Sequence, residues 1–349
     1  MRSIERLWYE DTLAGRIARA GLAVPAALYA GVVRARGALY DHGGFAVHAP
    51  LIPVLSLGNL SVGGTGKTPL AAWAAAQLRA LGASPALLLR GYGEDEPLVH
   101  AALNPDVPVV VDADRVRGVE HARASGADCV VLDDGFQHRR IARTADWVLV
   151  SAEQFDRSRR LLPAGPMREP LSALSRAHVL VVTRKSAGAD AASALAGRLA
   201  HLVPSGAWAV CRLAPSGVVD TADGTSHGIE RLRGARVVAV AAIGVPAAFF
   251  AQLRELGVAE LREVPLSDHH RYTTHDVDRL TSRATGADAV VCTLKDAVKL
   301  APLWPHATLP LWYVSQRAEI ERGRDVLDAS LATILSARPG TPSTAGAAG

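Results

Sequence analysis

The sequence predicts an α/β protein: a parallel-sheet domain, preceded by an amphipathic helix and followed by a second, smaller α/β domain. Short apolar runs alternate with helical stretches along most of the chain, which is typical of βαβ units around a sheet buried on both faces. A glycine-rich loop separates the first such run from a segment with helical periodicity. The 349 residues also suit two domains, at roughly 150 residues per domain.

Changes in composition divide the chain into five predicted segments. A polar, Gly/Ser/Thr-rich stretch around residues 213–235 separates the two domains, and the Pro/Gly-rich end is typical of disorder. The segments are an N-terminal amphipathic segment (1–50), a core with the glycine-rich loop (51–213), a linker (214–235), a smaller α/β domain (236–336) and a disordered tail (337–349).

The N-terminal segment has an apolar helical face, and its arginines lie elsewhere around the helix. Such a helix either lies on anionic lipid or packs on the protein, and the pattern alone favours packing. The apolar set is Ile4, Leu7, Trp8, Leu13 and Ile17. We expect no membrane span, because no stretch of about 20 residues is sufficiently apolar, and no export, because early acidic residues disfavour a signal peptide.

Composition gives only broad limits on function. The 49% hydrophobic and 21% charged residues indicate a folded protein, and the net charge of +4 is weak evidence for anionic ligands. Cys129, Cys211 and Cys292 are too widely separated for a disulfide framework or a zinc site. We therefore predict a reducing, cytosolic compartment. We also expect no nucleic-acid partner, and no protein partner is evident from the sequence.

The loop in "LGNLSVGGTGKTPL", residues 57–70, is typical of a nucleotide-binding P-loop. Its glycines let backbone N–H groups turn toward a phosphate, Lys67 adds a positive charge, and Thr68 offers a hydroxyl to Mg²⁺. Ser61 replaces the first glycine of the motif, so a glycine-rich turn with a chance Lys-Thr pair is the alternative. The strand-like and helical flanks favour the P-loop. Its predicted nucleotide-binding residues are Gly63, Gly64, Thr65, Gly66, Lys67 and Thr68.

Acidic residues follow two strands of the predicted sheet. Asp133 and Asp134 end the apolar run "CVVL", where P-loop proteins hold Mg²⁺ with a carboxylate. The run "LLLRGYGEDEP" continues into Glu94, Asp95 and Glu96, which are either a solvated loop or catalytic and metal-binding groups at the carboxyl edge of the sheet.

The segment "PLSDHHRYTTHD" of the second domain gathers acidic and histidine side chains. Adjacent histidines seldom converge on one metal ion, so an Asp-His pair for proton transfer is favoured over a metal site. The later segment "CTLKDAVKL" places Lys295 and Lys299 on one helical face, where they either meet a phosphate or flank Asp296.

Taken together, these residues resemble one family, the tetraacyldisaccharide 4′-kinases, which phosphorylate a lipid A precursor. The resemblance covers about residues 50–300 and depends on seven motifs in the family's order. They are "GNLSVGGTGKTP", "RGYG" followed by "DEP", "LDDGFQH", "LLPAGPMREP", "AAIGVPAAFFAQL", "SDHHRYT" and "TLKDAVKL". The N-terminal segment also resembles the family's membrane-contacting helix, which implies a peripheral protein on the cytoplasmic face of the inner membrane.

The resemblance implies a function for several residues. The P-loop would bind ATP, and Thr68, Glu96 and Asp133 would arrange Mg²⁺, with Asp134 nearby. Asp95 resembles the catalytic base, and His269 resembles its partner from the second domain, so domain closure would complete the site. The segment between "RGYG" and "DEP" is shorter here than is usual in the family, so Glu94 is an alternative base. The substrate would be an acylated disaccharide 1-phosphate, phosphorylated at its 4′-hydroxyl.

Two other functions compete with this one. The first is a P-loop ATPase or ligase related to the partitioning ATPases and dethiobiotin synthetases, which share the GG-x-GKT loop. Those ATPases usually carry an extra lysine early in the loop, and none occurs between Leu51 and Gly66. The second is a nucleotide-binding scaffold without enzymatic activity, which would not need the pair of Asp95 and His269.

Overall fold

The computed structural model describes residues 8–9, 12–91, 93, 95–156, 158–305 and 309–339. Ile4 and Leu7 of the predicted apolar face, the alternative base Glu94, and residues 340–349 of the predicted tail lie outside the described residues.

The elements confirm an α/β protein. The helices are α1 (Leu13–Gly21), α2 (Ala23–Asp41), α3 (Lys67–Ala80), α4 (Asp95–Leu103), α5 (Arg115–Ala124), α6 (Ala189–Ala200), α7 (Pro246–Glu255), α8 (Thr274–Arg283), α9 (Leu294–Leu300) and α10 (Arg324–Ser336). The strands are β1 (Val54–Asn59), β2 (Pro85–Leu89), β3 (Val109–Val111), β4 (Cys129–Asp133), β5 (Ala145–Ser151), β6 (Val179–Arg184), β7 (Trp208–Asp220), β8 (Ser226–His227), β9 (Arg236–Ala241), β10 (Glu260–Pro265), β11 (Ala289–Thr293) and β12 (Leu311–Arg322).

The chain forms two compact units, whose bounds differ from the predicted domains. The smaller unit comprises Gly93–Val99 and Ala214–Arg317, and the larger unit holds the rest of the described chain, including Ala318 onward. The predicted linker, 214–235, is wrong: it contains the end of β7, strand β8 and a short 3₁₀ helix. Val218 and Leu232 in this stretch are fully buried, so the polar composition reflects a hairpin in the core of the smaller unit.

The larger unit contains a parallel sheet with the strand order β7-β6-β5-β1-β4-β2-β3. Successive residues of a strand point to opposite faces, so β1 buries Leu55 and Leu57 against α3 and α10, and Val54 on the opposite face with α5. Burial on both faces explains the nearly continuous apolar runs in the sequence. Strand β1 lies between β4 and β5, and the P-loop follows its carboxyl end.

The smaller unit has its own strand order, β10-β9-β11-β12-β7, with β8 antiparallel to β7. Helix α7 buries Phe249, Phe250 and Leu253 on one face of this sheet. Helices α8 and α9 cover the other face through Leu280 and Leu300. Helix α8 begins at a capping box between Thr273 and Asp276, which fixes the end of the preceding histidine-containing loop.

The N-terminal helices are held to the larger unit by polar contacts. Tyr29 donates to the carbonyl of Arg168 at 2.9 Å, and Arg36 donates to the carbonyl of Gln137 at 2.9 Å. Many apolar side chains of α1 and α2 nevertheless point outward; the exposed set is Leu13, Ile17, Val24, Leu28, Val32 and Leu39. Among the described helices, none alone is long and apolar enough to cross a membrane, but α1 and α2 together, bent by 49°, would suffice by length and composition.

Candidate functional site

The P-loop conformation depends on glycines at two positions. Gly63 and Gly66 have φ angles of +112° and +82°, a region that L-residues rarely occupy. A Cβ at Gly66 would also overlap the side chain of Leu213. Helix α3 starts at Lys67 directly after Gly66, so the loop ends at a helix N-terminus, which is a favourable place for a phosphate.

Thr65 is a buried residue of the P-loop and holds the loop in place through hydrogen bonds. Its hydroxyl accepts a hydrogen bond from the Asn59 amide at 2.8 Å, and its carbonyl accepts one from the Thr183 hydroxyl at 2.8 Å. Its backbone N–H donates to the carbonyl of Gly63 at 3.1 Å, and its side chain is buried. Thr65 therefore holds the loop between β1 and β6, and its predicted contact with nucleotide stays a prediction.

The segment 161–168 supports the start of the loop. Ser61 forms an isolated β-bridge with Met167, and the N–H of Val62 donates to the carbonyl of Pro166 at 2.8 Å. Position 61 therefore belongs to a short stretch of paired backbone, for which serine is suitable and the glycine of the motif is unnecessary.

Of the predicted metal residues of the larger unit, which are Thr68, Asp133 and Asp134, the first two are joined by a hydrogen bond. Parallel pairing of β1 with β4 places Leu57 opposite Asp133, so the two strands end at the same edge of the sheet. The Thr68 hydroxyl donates to Oδ2 of Asp133 at 3.2 Å. A hydroxyl keeps its acceptor lone pairs when it donates, so this pair can present two oxygens to Mg²⁺.

Asp134 makes different contacts from its neighbour. Its Oδ1 lies 3.4 Å from Lys67 Nζ, and Arg168 Nη1 donates to its two oxygens at 3.0 and 2.9 Å. Burial opposes ionisation of Asp134, but Lys67 and Arg168 outweigh it and hold the pKa of this carboxyl below its ordinary value. Asp134 is therefore an anion that orients the P-loop lysine, and no contact joins it to Thr68 among the described residues.

Sequence reasoning did not identify Arg168 or His100 as site residues. Arg168 lies in the quoted motif "LLPAGPMREP", and its position beside Asp134 follows from the pairing of segment 161–168 with the loop. His100 lies in α4 as part of an apolar pattern, and its Nε2 is 2.9 Å from Oδ2 of Asp133. Nothing in the local sequence indicates that contact.

The predicted catalytic pair, Asp95 and His269, lies within the smaller unit. Nδ1 of His269 is 3.4 Å from Oδ1 of Asp95, which is longer than a good hydrogen bond but within ion-pair distance. Asp95 is buried, whereas the His269 side chain is half exposed. The prediction that these residues belong to different domains is wrong, because Gly93–Val99 clusters with the smaller unit.

Lys299 is a third member of this group. Its Nζ lies 3.8 Å from Oδ2 of Asp95 and donates to the carbonyl of His270 at 3.2 Å. The lysine thus links the candidate base to the loop that carries His269. The contact with Asp95 was not predicted. Of the two predicted roles, flanking Asp296 agrees with the charge of Lys299 opposing the raised pKa of Asp296, and phosphate binding stays a prediction.

Asp296 supports the same loop through a hydrogen bond from Tyr272. Its fully buried carboxylate accepts from Tyr272 at 2.9 Å, from Thr293 at 2.7 Å and from the N–H of Ala242 at 3.1 Å. Burial raises the pKa of Asp296, although the bonds from Thr293 and Tyr272 oppose that rise. No group of three or more metal-ligating side chains is found among the residues that the structure describes, the histidine loop included.

Backbone strain coincides with the predicted site residues. Among the described non-glycine residues, positive φ angles occur at Asp134, with +55°, and at His269, with +57°. Such residues persist where the surrounding contacts over-determine them, often at functional sites. Glu96, the remaining predicted metal ligand, lies in the first turn of α4 in the smaller unit, and its role stays a prediction.

The sequence matches the model of the tetraacyldisaccharide-1-P 4′-kinase family, LpxK, over residues 18–95 and 94–336. The chain belongs to this family. The tetraacyldisaccharide 4′-kinase of Anaeromyxobacter sp. strain Fw109-5 is 38% identical, with 96% of this chain and 97% of that protein covered. The enzyme of the same name from Halorhodospira halophila is 39% identical, with 97% and 99% covered.

A solved LpxK structure has the same fold. The crystal structure of LpxK from Aquifex aeolicus in complex with ATP gives a TM-score of 0.72 at 25% identity, with 91% of this chain and 99% of that chain covered. The predicted family is therefore confirmed, and so is the prediction that the chain is a kinase of the LpxK family.

Replacing Gly66 by alanine should disrupt the P-loop of this LpxK-family chain. The matched control is Gly82→Ala, since Gly82 has nearly the same φ, +83°, but nothing within 4 Å of its Cβ position. Gly82→Ala then carries only the backbone strain, about 1–2 kcal/mol. We expect Gly66→Ala to weaken ATP binding, measured by calorimetry, at least ~10-fold (~1.4 kcal/mol). Equal affinities for the two variants would show that the loop accepts a side chain at position 66.

Proposed function

We propose that this chain transfers the γ-phosphoryl group of ATP to the 4′-hydroxyl of a tetraacyl-disaccharide 1-phosphate, with Mg²⁺ as the metal cofactor, as a step of lipid A and lipopolysaccharide biosynthesis. The observation that carries the proposal is the P-loop with its Thr68–Asp133 hydrogen bond in a chain of the LpxK family. Relatives that cover nearly the whole chain are named for this reaction, and the related Aquifex aeolicus structure contains ATP.

The larger unit would bind the nucleotide. The glycines at 63, 64 and 66 leave room for the phosphates, and the N-terminus of α3 contributes N–H groups. Lys67 would shift from Asp134 toward the transferred phosphoryl group while Arg168 keeps Asp134 paired. Thr68 and Asp133 fit Mg²⁺, because both offer oxygen ligands and Oδ1 of Asp133 has no partner among the described residues. Held by Thr68 and Asp133, Mg²⁺ would supply positive charge that neutralises charge developing on the phosphates during transfer.

The smaller unit would supply the base. A sugar hydroxyl is a poor nucleophile, so a carboxylate that accepts its proton accelerates transfer by about 10²–10⁴-fold. Asp95 is the candidate: His269 contacts one of its oxygens and Lys299 the other. The proton would pass from the 4′-hydroxyl to Asp95, while the 4′-oxygen bonds to phosphorus and ADP leaves. His269 and Lys299 would orient the carboxylate.

An ATPase or ligase of the partitioning-ATPase type is the alternative, and the family match disfavours it. The paired Asp95 and His269 also disfavour a scaffold that only binds nucleotide, since such a protein needs no base. Lipid-dependent release of ADP would distinguish the kinase from both.

We further propose that α1 and α2 place the protein peripherally on the cytoplasmic face of the inner membrane. A substrate with several acyl chains stays in the bilayer, so the enzyme must reach the headgroup plane. The exposed apolar side chains of the two helices, together with exposed arginines such as Arg16 and Arg34, suit anionic lipid. Contacts from Tyr29 and Arg36 to the larger unit would hold the helices in place on it.

The kinase proposal is tested by transfer of ³²P from [γ-³²P]ATP to a tetraacyl-disaccharide 1-phosphate in mixed micelles. We expect labelled lipid with the wild type and a loss of at least ~10³-fold with Lys67→Ala, because the lysine neutralises charge on the phosphoryl group. Circular dichroism should show the variant folded, since Lys67 is the first residue of α3, its side chain is partly exposed, and alanine is a good helix former. Label found only as inorganic phosphate would contradict the kinase.

The base proposal is tested with Asp95→Asn, His269→Ala and the double variant. Each single change should lower kcat about 10²-fold or more with little effect on the KM for ATP, because the pair acts in the transition state. The double variant should be little worse than either single one. His275→Ala, in an exposed residue of the same segment, is the control and should retain activity. If the two losses multiply, the residues do not act as a unit, and Glu94 becomes the candidate base.

The membrane proposal is tested by flotation with phosphatidylglycerol vesicles. Ile17→Gln with Leu28→Gln should reduce vesicle binding at least ~10-fold and raise the apparent KM for lipid, without changing ATP affinity. The matched control is Leu81→Gln with Val111→Gln, because those side chains of the larger unit are comparably exposed, at 56% and 49% against 64% and 68%. Binding should also weaken as salt rises. Equal flotation of the two double variants would place the membrane contact elsewhere.

A further inference from the structure

We propose that His100 is the positioning residue for the metal-binding carboxylate: it fixes the orientation in which Asp133 meets Mg²⁺. The inference rests on the proposed function, because it assigns a role at the same metal site. It concerns a side chain that contacts neither the nucleotide-binding loop nor the candidate base in any described contact.

His100 lies in the interior of the larger unit. Its side chain is fully buried, and its Nε2 is 2.9 Å from Oδ2 of Asp133, which is itself buried. Helix α4 carries the histidine, and β4 carries the aspartate, so the two are held by different elements of the fold.

The proton on His100 can be assigned from the contacts. An ionised carboxylate only accepts hydrogen bonds, so the bond at 2.9 Å requires a proton on Nε2. Nδ1 is buried and has no hydrogen-bond partner among the described residues. The neutral Nε2–H tautomer satisfies both observations, since it leaves on Nδ1 a lone pair rather than a second unpaired proton.

Two donors therefore converge on one oxygen of Asp133. The Thr68 hydroxyl is 3.2 Å from Oδ2, and Nε2 of His100 is 2.9 Å from the same atom. Together they fix the rotation of the carboxylate about its Cβ–Cγ bond. Oδ1 is left buried without a donor among the described residues. A buried oxygen without a partner is costly, and a cation or a cation-bound water is a ligand that removes this cost.

A purely structural role for the histidine explains less. A leucine of similar size would fill the same space without burying an unpaired Nδ1, so as packing the imidazole is the poorer choice. Partners that orient metal-binding side chains are worth about 10–100-fold in metal affinity. Holding Asp133 ready for the metal accounts for a buried polar ring at this place.

The test measures Mn²⁺ binding by electron paramagnetic resonance in the presence of the non-hydrolysable analogue AMP-PCP, so that activity is not the readout. His100→Leu removes the donor, and His100→Gln keeps an N–H near the position of Nε2. Val99→Ala, a truncation of the neighbouring buried side chain in α4, controls for a general loosening of the helix. AMP-PCP affinity in EDTA reports the nucleotide site without metal.

We expect His100→Leu to weaken Mn²⁺ binding ~10-fold or more, while His100→Gln and Val99→Ala stay within ~3-fold of the wild type. Affinity for AMP-PCP in EDTA should be unchanged in all three variants. The inference is overturned if His100→Leu binds Mn²⁺ like the wild type, if Val99→Ala weakens binding equally, or if His100→Gln behaves like His100→Leu. If His100→Leu does not fold, His100→Asn, whose amide stops short of Asp133, takes its place. Wild-type protein that binds AMP-PCP without Mn²⁺ dependence would instead contradict the proposed function.

Discussion

The parallel pairing of β1 with β4 is the constraint on which the candidate site depends. The pairing sets Leu57 opposite Asp133, so the carboxylate lies where the P-loop turns into α3. The hydrogen bond from Thr68 to Asp133 then follows from the geometry of the sheet. The apolar packing of α3 and α10 against β1 keeps this edge rigid, and a rigid edge is what a site for a charged nucleotide requires.

Much of the fold and part of the site could be predicted from the sequence. The strands of the larger unit are fully buried and read as continuous apolar runs, and the loop glycines have a conformational requirement that leaves a local signature. Asp133 could be predicted because it ends one of those runs. These features depend on residues that are neighbours in the sequence, so the pattern of the sequence is enough to predict them.

The residues that were missed make contacts between elements far apart in the sequence. His100 and Asp133 are separated by 33 positions, and Arg168 and Asp134 by 34. The polar composition of residues 214–235 led to the wrong prediction of a linker. The stretch contains the β7–β8 hairpin and buries Val218 and Leu232. The grouping of Asp95 with His269 was expected, but not its location within one unit, because cluster membership depends on tertiary contacts that no motif encodes.

The left-handed backbone at Asp134 and His269 has an evolutionary consequence. Glycine would adopt these φ angles of +55° and +57° with less strain, so each position carries about 1–2 kcal/mol of backbone strain together with a side chain that makes ion-pair contacts. Glycine at position 134 would remove the carboxylate that pairs with Lys67 and Arg168, and glycine at position 269 would remove a contact of buried Asp95. Relief of backbone strain and loss of charge pairing therefore act in opposite directions at both positions, so selection for folding alone has no simple route to glycine at either.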